Sequence, residues 1–264
     1  MNTCAFPVSF RRFVSIWMAA LGLVLLSPVL SAHIHVDVQA APSGQLILVG
    51  ATSETMVYVP PGEPFTLYAR QFPGGYYAAE LTFSSEDPLT PNALPHIQLL
   101  SVSGPEGAAF AFWEAGATAP TWTRATGWTA SGSDHPDFIT YEDETGVGHI
   151  HGRLFTATHP GTYTIAFRAI NGNTSAPRVA SEARVITIEV LATPPLSIRA
   201  EAGLARLSFT SRTDFTYDLQ SSPNLVNWNN VPAHQFIAGT GEVLECSDAL
   251  TNRSQVFYRL VEYR

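Results

Sequence analysis

The stretch that decides the fold is Gly161-Thr-Tyr-Thr-Ile-Ala-Phe-Arg-Ala169, in which apolar and polar residues alternate. Tyr163, Ile165 and Phe167 share one face of an extended strand, because successive side chains of a strand point to opposite sides of the sheet. The segment Arg184–Val190 repeats this alternation. Together the two segments are typical of adjacent late strands in an immunoglobulin-like sandwich.

Working outward from this pair, we find further strand-like segments separated by turns rich in Pro, Gly and Asn, and no stretch with convincing helical periodicity. The predicted strands cover residues 33–38, 45–50, 55–59, 65–70, 78–84, 96–103, 108–114, 137–141, 148–156, 162–170 and 184–190. The sequence therefore predicts an all-β fold, with an immunoglobulin-like β-sandwich over residues 33–191.

A second domain is predicted after a short proline-rich linker at residues 192–195. Consecutive prolines favour an extended conformation and cannot donate to a sheet, so this segment is typical of a stiff connection. Residues 196–264 follow as a small β-sandwich. Its predicted strands cover residues 204–210, 215–220, 242–246 and 256–262.

The motifs Phe215-Thr-Tyr-Asp-Leu-Gln-Ser-Ser-Pro-Asn-Leu-Val-Asn-Trp228, Gly239-Thr-Gly241 and Phe257-Tyr-Arg-Leu260 mark the last quarter of the chain. This part resembles the C-terminal β-sandwich modules found on exported proteins of Verrucomicrobia and related bacteria. Those modules have no assigned catalysis, so the resemblance implies an accessory or presentation role.

Composition and charge exclude several classes of function. The chain has 264 residues and a formal net charge of −8, and its 14 basic side chains are all arginine. An acidic protein without lysine is a poor candidate for tracking the phosphates of nucleic acid, so no nucleic-acid partner is expected. The absence of lysine also excludes a lysine Schiff base.

The first 32 residues have the features of a secretory signal. Arg11 and Arg12 form a positive region, an apolar stretch follows from Phe13 to Leu26, and small residues stand at Ser31 and Ala32. The alternative is an uncleaved anchor, but no basic stop-transfer cluster follows. We therefore expect an exported protein, periplasmic, surface-held or secreted, with no membrane span after cleavage.

Two His-x-His motifs are the candidate chemical site. In His33-Ile-His35-Val-Asp37 the two imidazoles and the carboxylate share one strand face. His149-Ile-His151 has the same His-x-His spacing, which would also place two imidazoles on one face of a strand. If the two pairs lie on neighbouring strands, four imidazoles could reach one zinc or copper ion. Asp37 could be a further ligand or could orient a histidine.

The same residues carry a second resemblance. His33-Ile-His-Val-Asp-Val38, Gly104-Pro-Glu-Gly-Ala-Ala-Phe-Ala-Phe-Trp-Glu114 and Gly148-His-Ile-His-Gly-Arg-Leu-Phe-Thr-Ala-Thr-His-Pro-Gly-Thr-Tyr163 resemble the actinobacterial surface-anchored domain family called choice-of-anchor M. Members of that family often occur beside metal-uptake transporters. The resemblance therefore implies metal handling and a metal-uptake system as partner, with the family's histidine positions falling on His33, His35, His149 and His151.

Two alternatives stay open at the level of sequence. If cleavage follows Ala32, the free amine and imidazole of His33 could chelate copper, as in secreted N-terminal-histidine copper proteins. The chain could instead be a carbohydrate-binding or adhesive sandwich with aromatic platforms, for which the candidates are Tyr76, Tyr77, Trp122 and Trp128. Catalysis is not expected, because no nucleophile elbow, zinc-protease helix or phosphate loop is found.

Overall fold

The computed structural model describes residues 34–65, 69–85, 95–140, 147–172, 178–251 and 253–264. The predicted leader and His33 lie outside the described residues. The described part consists of strands, turns and loops without a helix, which confirms the all-β class. Accordingly, the described residues include no helix that is long and apolar enough to cross a membrane. These described residues form one compact unit.

The strands fall into an N-terminal lobe, residues 34–190, and a C-terminal lobe, residues 196–264. The N-terminal lobe contains β1 (Ile34–Ala40), β2 (Leu46–Gly50), β3 (Ser53–Val59), β4 (Tyr76–Ala79), β5 (Leu81–Ser84), β6 (Pro95–Ser103), β7 (Ala109–Trp113), β8 (Trp122–Ala125), β9 (Trp128–Thr129), β10 (Asp137–Ile139), β11 (Leu154–Ala157), β12 (Gly161–Asn171) and β13 (Arg184–Val190). The C-terminal lobe contains β14 (Ser197–Glu201), β15 (Leu204–Thr210), β16 (Thr216–Ser222), β17 (Asn229–Asn230), β18 (Ile237–Ala238), β19 (Val243–Ala249) and β20 (Phe257–Tyr263).

Strand β3 links the two large sheets of the N-terminal lobe. Its residues 53–56 pair in parallel with β13, and its residues 57–59 pair antiparallel with β4. One sheet therefore has the order β10-β6-β12-β13-β3, with β9 also on β6, and the other has the order β3-β4-β11-β7-β8. A third, smaller sheet has the order β2-β1-β5. This layered arrangement is consistent with a β-sandwich.

The predicted alternation of β12 is confirmed. Tyr163, Ile165 and Phe167 are fully buried, and they pack in one apolar cluster with residues of β13 and of β7. The Tyr163 hydroxyl donates to the main-chain carbonyl of His159 at 2.8 Å. A tyrosine that bonds back to the chain a few residues upstream is a feature of immunoglobulin-like sandwiches, where it fixes the corner before the strand.

The C-terminal lobe has its own apolar core. Two sheets, β14-β15-β19 and β17-β16-β18 with β20 on β16, enclose buried side chains such as Leu207, Tyr217 and Leu260. Among the described residues no sheet joins the two lobes. Contact between them is made instead by side chains, including those of Glu63 and Arg259.

Several predicted strands differ from those observed. Phe65, Ala69 and Arg70 are not in a strand, and residues 66–68 lie outside the described part. The predicted strand 78–84 is interrupted at Glu80, because the chain leaves the large sheet after β4 and enters the small sheet as β5. Short strands such as β8, β9 and β14 were not predicted, since two to five residues carry little periodicity.

Candidate functional site

Strand β1 presents the first half of the candidate site as predicted. Val36 and Val38 are fully buried, while His35 and Asp37 are half-buried on the opposite face. The alternation of a strand explains this division. β1 lies between β2 and β5, and its parallel pairing with β5 sets Asp37 opposite Ser84.

The second His-x-His motif does not lie on a strand, so the prediction of a strand over residues 148–156 is wrong for its first part. β11 begins only at Leu154. The motif stands in a loop between Gly148, with φ of +104°, and Gly152, with φ of +78°. Backbone in this left-handed region cannot continue a strand, which is why the pattern of apolar and polar residues misled the prediction.

A main-chain bridge places this loop at the end of β5. The Ser85 amide donates to the Gly148 carbonyl at 3.0 Å, and the Gly148 amide donates to the Ser85 carbonyl at 2.6 Å. Ser85 directly follows the strand that pairs with β1. The bridge thereby brings His149 and His151 to the edge of the small sheet on which His35 lies.

The structure brings together three of the predicted histidines. The Nε2 atoms of His149 and His151 lie 3.1 Å apart. The rings of His35 and His149 meet edge to face, with centroids 5.0 Å apart. His33, the fourth predicted ligand, lies outside the described residues.

Ser84 joins Asp37 to His35. Its hydroxyl donates to Oδ1 of Asp37, and its Oγ lies 3.3 Å from Nδ1 of His35. Ser84 itself is fully buried. Sequence reasoning missed this residue, because the parallel pairing of β1 with β5 cannot be read from either segment alone.

These side chains do not form a complete metal cage. In the described ranges, no group of three or more His, Cys, Asp or Glu side chains is arranged to hold a metal ion. The Nε2 atoms of His149 and His151 lie together, with the His35 ring beside them. The carboxylate of Asp37 accepts from Ser84, whose oxygen in turn contacts Nδ1 of His35.

An ion pair between buried Arg153 and partly exposed Glu114 supports the chain just after the histidine loop. Nε and Nη2 of Arg153 donate to the two carboxylate oxygens of Glu114 at 2.7 and 3.1 Å, and Nη1 donates to the Ile139 carbonyl. The guanidinium also lies over the rings of Phe112 and Phe138. Such a two-point contact restricts the position of Arg153 and therefore the end of the loop.

The two tryptophans proposed for a carbohydrate platform contact other side chains of the N-terminal lobe. Trp122 is 9% exposed and stacks on Phe112 at 5.5 Å, so it belongs to the core. Trp128 is half-buried, and its Nε1 donates to Asp134 at 3.0 Å.

The two tyrosines proposed for the same platform, Tyr76 and Tyr77, pack on other aromatic residues. Tyr76 packs on Trp113, with ring centroids 5.6 Å apart, and Tyr77 packs on Tyr58 at 5.3 Å. Burial, followed by the neighbouring Tyr58, raises the pKa of Tyr77. Both rings are therefore engaged in packing of the N-terminal lobe.

Comparison with known proteins adds no assignment. No protein-family model and no curated protein sequence matches this chain.

Proposed function

We propose that this protein is exported and that its N-terminal lobe binds a transition metal, zinc or copper, through His149 and His151, with His35 as a third ligand. His33 would be the fourth. The predicted leader at residues 1–32 supports export. Imidazole nitrogen is a preferred donor for both zinc and copper, so the ligand set fits either metal.

The observation that carries this proposal is the 3.1 Å separation between Nε2 of His149 and Nε2 of His151. Two nitrogens bound to one tetrahedral ion at about 2.0–2.1 Å each lie about 3.3 Å apart. The pair therefore has close to the spacing that a shared ion requires. Without an ion, one of these nitrogens must carry a proton and donate it to the other.

The position of the third ring supports the same proposal. His35, on the middle strand of the small sheet, contacts His149 of the loop, so the ligands come from two parts of the chain that are far apart in sequence. We also propose that the protein carries or presents the metal rather than catalysing a reaction with it. A metal-uptake system is the partner that would receive it.

Calorimetric titration of the untagged protein, expressed from its full-length sequence, tests the proposal. We expect one zinc or copper ion per chain with a Kd below about 1 μM, corresponding to about −8 kcal/mol. The double variant H149A/H151A should lose this binding, and H35A should weaken it. The matched control is H159A, because His159 is exposed in the turn before β12 and lies outside the cluster.

Two results would overturn the proposal. One is a wild-type protein that binds neither metal. The other is equal binding by wild-type protein and H149A/H151A, which would place the metal elsewhere. Loss of binding in H159A would indicate non-specific chelation by surface histidines.

A further inference from the structure

We infer that Ser84 is a positioning residue for His35: its hydroxyl, held by Asp37, fixes the imidazole in the tautomer that carries its proton on Nδ1. This inference deepens the proposed function, on which the use of the ring as a metal ligand rests. It depends on three side chains brought together by the pairing of β1 with β5.

The assignment follows from counting protons on the Ser84 hydroxyl. A hydroxyl has one hydrogen to donate, whereas a carboxylate oxygen can only accept. Ser84 Oγ contacts Asp37 Oδ1, and of these two groups only the hydroxyl has a hydrogen to donate, so the hydroxyl hydrogen belongs there. Toward His35 the same oxygen can then only accept.

The nitrogen that faces Ser84 must therefore be a donor. Nδ1 of His35 lies 3.3 Å from Ser84 Oγ, so the hydrogen of the neutral ring is on Nδ1. Nε2 is left with a lone pair. A metal-binding histidine commonly has this arrangement, in which one ring nitrogen donates to an oxygen and the other is the ligand.

The backbone explains why this arrangement is specific. Asp37 and Ser84 are directly opposed in the parallel pairing of β1 and β5, and His35 lies two residues before Asp37 on the same face. Ser84 is fully buried, so bulk water does not compete for its hydroxyl. The three groups thus form an ordered chain from carboxylate to hydroxyl to imidazole.

The test compares S84A with a matched variant, T82V. Thr82 is on the same strand and the same face as Ser84 and lies opposite His35 in the pairing of β1 with β5, so T82V removes a hydroxyl opposite the ring but leaves the contact of Ser84 with His35 in place. The first measurement is the ¹⁵N NMR spectrum of the metal-free full-length protein at about pH 8, above the usual histidine pKa of about 6.5. The second is the zinc titration described above.

In wild-type protein and T82V we expect the Nδ1 of His35 to show the shift of a protonated ring nitrogen and Nε2 that of an unprotonated one. In S84A the two shifts should move toward the average of both tautomers. Zinc binding by S84A should be about 10-fold weaker, as is usual when a partner of a metal ligand is removed. The variant S84T, which keeps a hydroxyl, should restore the wild-type tautomer.

The inference is overturned if wild-type His35 is protonated on Nε2, or if S84A and wild-type protein have the same tautomer. Equal zinc affinity of S84A and wild-type protein would overturn the role of Ser84 in metal binding. The NMR measurement does not require metal, so it separates the two proposals. If the protein binds no metal, the proposed function is contradicted. The NMR comparison of S84A with wild-type protein still tests whether Ser84 determines the tautomer of His35.

Discussion

Arg259 on β20 donates to Glu63, in the loop after β3, at 2.7 Å, and this ion pair joins the two lobes. Both side chains are largely buried, at 16% and 18% exposure. Gln220 bridges the two charged side chains. It accepts from Nε of Arg259 at 2.6 Å and donates to the same Glu63 oxygen at 2.7 Å. The Arg259 guanidinium also lies 4.4 Å from the Trp228 ring centre.

We expect E63A to destabilise the protein by about 2–4 kcal/mol, because it leaves a mostly buried guanidinium without its charged partner. Equilibrium unfolding in urea measures the change, and hydrogen exchange at β16 and β20 should show the C-terminal lobe opening more often. The control is E201A, since the Arg199–Glu201 pair is exposed and should contribute about 0–1 kcal/mol. Equal losses in the two variants would contradict the structural role of the Glu63 pair.

We expect G148A to lower both stability and metal affinity. At φ of +104° an alanine is strained although its Cβ would meet open space, and the cost should be about 1–3 kcal/mol. The loop that carries His149 and His151 would relax to relieve the strain. The control is G44A, which has φ of +83° and equally open surroundings in the turn before β2. It should lose comparable stability, measured by urea unfolding, but bind zinc like the wild type.

We expect E54Q to gain stability over the wild type as the pH rises. Burial raises the pKa of Glu54, although the Thr55 amide and Arg264 act against this effect. The folded protein thus holds the proton more tightly than the unfolded chain does, so the contribution of Glu54 is most favourable below the usual carboxyl pKa of about 4.3 and is lost above it.

Urea unfolding of E54Q and wild-type protein at several pH values between about 3 and 7 measures this difference. The free energy of unfolding of E54Q relative to that of the wild type should be lowest at about pH 3 and should rise as Glu54 ionises in the wild type. Exposed Glu189 offers the matched control E189Q, which removes a surface carboxylate that lacks the burial acting on Glu54. A constant difference for E54Q would contradict the raised pKa.

We expect Tyr217 to resist ionisation in the folded protein. Burial, with the neighbouring Glu262 carboxylate adding to it, raises its pKa to about 12. The pKa of Tyr217 in the folded protein is therefore above the usual tyrosine pKa of about 10. The contribution of Tyr217 to stability is present below about pH 10 and is lost as the pH rises through about 12.

The ultraviolet absorbance of tyrosinate measures this property of Tyr217. At about pH 11, folded wild-type protein and Y217F should show the same absorbance, since Tyr217 stays protonated. In guanidinium chloride at the same pH both proteins are unfolded, and the absorbance of the wild type should exceed that of Y217F by the signal of one tyrosinate. Y217F should also be less stable by about 1–3 kcal/mol, because the Arg212 amide and Glu262 both lose a hydrogen-bond partner. A difference between the folded proteins at that pH would contradict the prediction.

The sequence alone was sufficient for the fold class and for the faces of the long strands. β13 was predicted with the observed bounds, and the burial of Tyr163, Ile165 and Phe167 was predicted from alternation. The same reasoning placed His35 opposite the buried Val36. These properties are local, because the direction of a side chain on a strand depends only on its place in the alternation.

Only the tertiary structure decided how the candidate site is assembled. The second histidine pair lies in a loop between Gly148 and Gly152 and not on a strand. The main-chain bridge from Gly148 to Ser85 brings His149 within ring contact of His35. The parallel pairing that inserts Ser84 between Asp37 and His35 joins segments 47 residues apart. Alternation shows which face a residue occupies, but the partner of that face depends on long-range pairing and on glycine dihedral angles that the local pattern does not record.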